Sequence, residues 1–256
     1  MNPAYYDMIF KRKSFHLFRG LGEARLSAEE LHGIEEACRG FEPLCPGIRT
    51  AFRIVSAEKV NFKRDAEYCV MIYSEKKDNY LMNAGYLGEQ LDLYLASHDI
   101  GSLWFGIGKP DESEFDGLSY VIMIAIHKVD DPTKFRRDMY KSKRKSIDEI
   151  WEGEDYGIAD VSRFAPSAVN SQPWRVKSEN GTLSVYRYKK SGRTGLIPAA
   201  AASYFNRIDL GIYLCILEIC MEQGKIGYNR ALFTDNGGDQ EMTLCAKYTL
   251  KSRLYF

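Results

Sequence analysis

The chain has 256 residues, 45% hydrophobic and 27% charged, with 21 Gly and 8 Pro; this excludes disordered, collagenous and low-complexity classes and leaves room for one large domain or two small ones. Lys plus Arg and Asp plus Glu both total 35, so no chain-wide field holds nucleic acid or an anionic membrane, and neither is expected as a partner. The longest apolar runs, residues 120–126 and 208–221, are too short or too charged to span a bilayer, the second being broken by Asp209 and Glu218.

Taken in chain order, the opening MNPAYYDMIFKRKSF lacks the apolar core of a secretory signal, and a cytoplasmic protein is expected. Lys11, Arg12 and Lys13 with Ser14, His16 and Arg19 form a basic cluster beside a hydroxyl. Such a cluster can grip a phosphate or carboxylate, or be solvated surface charge. Strands are predicted at 51–55 and 67–73, then a long helix at 83–97 from the spacing of Leu87, Leu91, Tyr94 and Leu95, with Gly101 as its stop. A strand follows at 120–127, and a second basic run, Lys141 to Lys145, lies near the middle of the chain.

Residues 163–174 pack two prolines, two hydroxyls, two amides and a Trp into twelve positions, which suits a rigid loop presenting donors and acceptors or a turn feeding a strand at 174–176. A strand is predicted at 183–188, a loop at Ser191 to Gly195, a helix at 208–221 apolar on most faces and therefore central, and a strand at 242–250. Six cysteines and four histidines show no metal-ligand spacing; no metal is expected, and the thiols read as small buried apolar groups.

The chain also repeats itself. Phe41, Pro43, Asn83, Leu87, Gly88, Leu91 and Gly101 recur as Phe164, Pro166, Asn206, Leu210, Gly211, Leu214 and Gly224, all at one offset of 123 residues. A period this long implies two similar halves rather than a solenoid. We set them at 1–150 and 151–256, in an α+β layered fold.

Arg12-Lys13-Ser14-Phe15 followed by Phe18 resembles the N-terminal Arg-Arg-Ser signature of the nitroreductase-like flavoproteins, and residues 165–174 resemble that family's Ala-Pro-Ser-x-x-Asn-x-Gln-Pro-Trp segment almost letter for letter. Residues 99–106 are similar to the run after the family's central helix, and residues 144–149 to its C-terminal basic segment. Family members are typically homodimers with FMN at the protomer interface. With the basic motif in the first half and the Pro-Ser-x-x-Asn motif in the second, the chain resembles the fused, double-length type, an intramolecular pseudo-dimer for which a monomer suffices.

The resemblance implies that Arg12, Lys13 and Ser14 hold the FMN phosphate and ribityl end, with Arg144 and Lys145 adding charge and His16 standing where the family has Arg or Lys. Pro166, Ser167, Ala168, Asn170 and Gln172 would lie at the isoalloxazine, and Gly106-Ile107-Gly108 would offer a backbone N–H near the flavin N5. Pro43-Leu44-Cys45-Pro46-Gly47, the first-half counterpart of the Pro-Ser loop, lacks its Ser and Asn, so a second site should be degenerate. The implied activity is transfer of hydride or electrons from NADH or NADPH to a small nitroaromatic, quinone or similar flat acceptor. No catalytic side chain is demanded, because the flavin carries the chemistry. The alternative is a flavin-binding sensor or storage protein without turnover.

Overall fold

The computed structural model describes residues 1–61, 64–189 and 199–251; the predicted Ser191 to Gly195 loop lies outside them. Helices α1 (Tyr5–Lys11) and α2 (Ala28–Gly40) precede strands β1 (Thr50–Ser56) and β2 (Tyr68–Ser74), helix α3 (Tyr80–Ser97), and strands β3 (Ile100–Phe105), β4 (Glu114–Phe115) and β5 (Leu118–Lys128). The rest of the chain forms α4 (Ile147–Ile150), β6 (Trp151–Glu152), α5 (Ala159–Ser162), β7 (Trp174–Glu179), β8 (Thr182–Tyr188), α6 (Ala199–Gln223), β9 (Tyr228–Leu232) and β10 (Met242–Leu250).

These strands make two five-stranded sheets, one on each side of residue 150. With the short edge pieces β4 and β6 set aside, the orders are β1-β2-β5-β3 and β7-β8-β10-β9, and every neighbouring pair is antiparallel. Helices α3 and α6 pack on each other and on their own sheets. Val70, Ile72, Ile122, Ile124 and Ile126 join the helical core. Alternate residues Cys69, Met71, Tyr73, Met123 and Ala125 face a second core roofed by Phe15, Phe18 and Phe135. Burial on both faces is why β2 and β5 read as continuous apolar runs rather than alternating ones.

The α3–α6 crossing is set by glycine. A Cβ on Gly85 would stand 2.0 Å from the carbonyl oxygen of Ile208, and one on Gly211 would stand 1.9 Å from that of Met82. Backbones this close leave no room for any side chain. Gly85 and Ile208 are separated by the same 123 positions as the sequence repeat. From Ile208 to Met221 every residue of α6 is buried, as its all-round apolar character predicts.

Gly101 is not the helix stop expected from the sequence. Helix α3 ends at Ser97, the left-handed turn falls on Asp99 at φ 55°, and Gly101 is a residue of β3 packed against Phe15. Strand β3 is an edge strand, and the N-terminal segment covers it: Ser14 bridges Ser102 in parallel, and the Phe15 N–H donates to the Ser102 carbonyl at 2.9 Å. That docking delivers the basic cluster to the top of α3.

A basic cleft between the halves

A cleft of about 560 Å³ is lined by Arg12, Lys13, Ser14, His16, Arg136 and Arg144 on one side and by Pro166, Ser167, Val169 and Asn170 on the other. Its volume lies within the usual ligand-pocket range of about 300–1,000 Å³. Eight of the residues singled out from sequence thus meet around one space, although the two motifs stand more than 140 positions apart.

Asp92 anchors the basic side. It lies fully buried on α3 and accepts from Arg12 Nε at 2.8 Å, from Trp104 Nε1 at 3.1 Å and from the Ser102 hydroxyl. Ser102 and Trp104 alternate along β3, so both side chains point at α3, and Gly88 leaves room for the Trp104 ring. Arg12 is only 2% exposed. Burial pulls its pKa down, but the charges of Asp92 and Glu89 outweigh it and the net shift is upward. Glu89, one turn earlier on α3, is fully buried with neither carboxylate oxygen bonded. Burial, with the Asp92 charge added, raises its carboxyl well above the usual range.

Two further guanidiniums complete the cluster. Burial, with the repulsion of Arg12 added, pulls Arg136 and Arg144 down to about 10. Arg136 Nη1 and Arg144 Nε are buried without an acceptor. Like charges gathered around unsatisfied donors are what an anion site looks like before its anion is considered. Arg136 was not singled out from the sequence. Its signal was the repeat itself, since the 123-residue offset sets Arg136 opposite Lys13.

The opposite wall is the loop after α5. Ser167 Oγ accepts from the Gln172 N–H at 3.0 Å, closing the loop on itself. Asn170 Oδ1 accepts from Arg144 Nη1 at 2.9 Å and its Nδ2 donates to the Lys143 carbonyl at 3.0 Å, fastening loop and basic segment together. Gln172 does not line the cleft: it is 3% exposed and its Oε1 accepts from the Lys145 N–H at 2.8 Å. Lys145 turns the same way, donating from Nζ to the Ser171 and Gln172 carbonyls. The Ala168 N–H donates to Asp209. Gly106, Ile107 and Gly108 follow the far end of β3 and are not among the lining residues; Ile107 is 77% exposed and Gly106 packs under Phe205.

The corresponding loop of the other half, residues 43–47, has different partners. Leu44, which the repeat sets opposite Ser167, has its carbonyl capped by Arg230 at 3.1 Å. Arg230 also pairs with the buried Glu218 at 2.7 Å, and Glu218 accepts from the hydroxyls of Tyr86, Tyr228 and Tyr248. Among the described residues there is no group of His, Cys, Asp and Glu able to hold a metal, and no helix long and apolar enough to cross a membrane.

The cleft brings a basic wall and a polar loop from either side of residue 150 around one space. The chain belongs to the nitroreductase family whose model is described as "Putative TM nitroreductase", which matches residues 4–221. A solved structure from Thermotoga maritima carrying the same description shares the fold, with a TM-score of 0.62 at 18% identity over 98% of this chain and 94% of that one. A nitroreductase family protein from Clostridium difficile is similar at a TM-score of 0.43 and 13% identity, covering 59% of this chain and 97% of that one. No curated protein matches this chain in sequence.

Proposed function

We propose that the cleft binds one FMN and that the chain is an FMN-dependent oxidoreductase, taking hydride from NADH or NADPH and reducing a small flat acceptor such as a nitroaromatic or a quinone. Family membership supports an oxidoreductase, and the observation that carries the flavin reading is the gathering of Arg12, Arg136 and Arg144 with Lys13 and Ser14 around one cleft. A phosphate monoester supplies the acceptors and the opposite charge that such a cluster of guanidiniums calls for. The bound flavin supplies hydride and electron transfer.

The chain's own groups bind and orient. Arg12, fixed by Asp92, is pre-set to meet a phosphate without side-chain reorganisation, and Arg136 and Arg144 bring the remaining charge. Ser167 and Asn170 supply polar contacts from the second half, while Val169 and Pro166 offer apolar surface beside them. We read the two halves as the protomers of a fused pseudo-dimer, with Gly85 and Ile208 at the local twofold where a residue meets its own counterpart. A monomer is then sufficient, with one cofactor site, since the loop at residues 43–47 lacks the Ser and Asn of its counterpart.

The test is steady-state oxidation of NADH and NADPH with a quinone by the FMN-loaded protein, beside Arg12→Ala. Turnover in the wild type and its loss in the variant are expected; stable FMN binding without turnover would instead identify a flavin carrier.

A further inference from the structure

The loop that forms the second wall of the cleft is strained. Val169, Asn170 and Gln172 have φ of 47°, 57° and 49°. For a β-branched residue the left-handed region is an outlier. Burial does not compensate it at Val169, whose side chain is 56% exposed.

Arg144, Lys143 and Lys145 fasten the loop from the basic segment, and on the α6 side one carboxylate holds it. Asp209, on α6 and 3% exposed, accepts from the Ala168 N–H at 3.0 and 3.2 Å and from the Ser171 hydroxyl at 3.3 Å. It makes no ion pair among the described residues, and burial pushes its carboxyl up to about 7 against the pull of those two donors. A strained loop and a buried lone charge are kept together. In the first-half counterpart, residues 43–47, the Cys45 N–H, which the repeat sets opposite that of Ala168, donates instead to the neutral Asn83 Oδ1 at 2.9 Å, from a position one turn away from that of Asp209, and no residue has positive φ. An amide is enough to anchor such a loop. The carboxylate accompanies the strained copy, the one at the basic cleft.

We propose that Asp209 is the positioning residue of the cleft, its carboxylate holding residues 167–172 in a conformation that fixes where Ser167 and Asn170 stand against the flavin, an inference that rests on the FMN reading above. Side chains held in place at a site by strain elsewhere in the loop are a recognised form of preorganisation.

The experiment compares the full chain with Asp209→Asn and Asp209→Ala in two measurements. Hydrogen exchange over residues 163–174 without FMN reads the hold directly: protection of the Ala168 amide falls at least tenfold in the Ala variant and less in the Asn variant, which keeps one acceptor. Titration with FMN then reads the consequence: affinity about tenfold weaker for the Ala variant and a shifted visible flavin spectrum for both, with the thermal midpoint of the flavin-free Asn variant not lowered. Exchange unchanged in both variants, or FMN affinity and spectrum identical to wild type in both, overturns the assignment. Failure of the wild type itself to take up FMN overturns the cofactor reading instead, and the exchange result still judges whether Asp209 holds the loop. If the Ala variant does not fold, the Asn variant decides through its spectrum and exchange.

Discussion

Arg136 has its backbone N–H tied to the Lys11 carbonyl at 3.0 Å and a buried Nη1 that meets no acceptor. It therefore costs the flavin-free fold more than it returns. Arg136→Ala should leave the flavin-free protein at least as stable, by thermal melting, while weakening FMN by roughly 10–100-fold, the scale of a lost charge-assisted hydrogen bond of about 1.5–3 kcal/mol. Asp209 makes a prediction in pH. Its carboxyl is raised by burial to about 7 from an ordinary 3.8, so the folded chain binds that proton more tightly than the unfolded one. The stabilisation is full below the unfolded value and is lost as pH rises through the folded one. Thermal midpoints of wild type and Asp209→Asn, measured without FMN between about pH 4 and pH 8, should diverge, the wild type losing more on the way up. The motif letters placed Ser167 and Asn170 at the cleft, yet Gln172 of the same motif is buried under Lys145. A residue string does not say which amide faces out when three positive-φ positions turn the loop between them.

Edge strand β3 is the element on which the basic wall depends, because it holds Ser14 from one side and presents Ser102 and Trp104 to Asp92 from the other. Asp92→Ala leaves the Arg12 guanidinium buried without its counter-charge, a loss of about 3–5 kcal/mol in chemical denaturation; Ser102→Ala removes a single donor and should cost about 1 kcal/mol. The helix crossing is less tolerant still. Gly211→Ala puts a methyl into the Met82 carbonyl and should prevent the two helices from seating, read as loss of the cooperative melt. Strands β2, β5, β8 and β10 and helices α3 and α6 were legible because their apolar periodicity is strong over many residues. Strands β3 and β9 were not: β3 opens Ile-Gly-Ser just where a glycine suggests a helix stop, and β9 is five residues with a Gly before it and no clean alternation.

At the scale of the whole molecule, two sheets of one strand order embrace two crossing helices, and the loops that correspond across the repeat have different partners. Residues 166–170 help line the basic cleft; at residues 43–47 Arg230 caps the Leu44 carbonyl and pairs with Glu218, to which three tyrosines also donate. That the two loops differ was readable, since Pro43 to Gly47 visibly lacks the Ser and Asn of its counterpart. The Arg230–Glu218 pair was not, because Arg230 sits in a strand missed from the pattern and meets Glu218 only through the fold. The measurement that tests the account most directly is the stoichiometry of FMN binding, by equilibrium titration of the flavin-stripped chain with the mass of the complex determined at the same time. One FMN per chain on a monomer is the predicted result. No binding, or two equivalent FMN per chain, would contradict it.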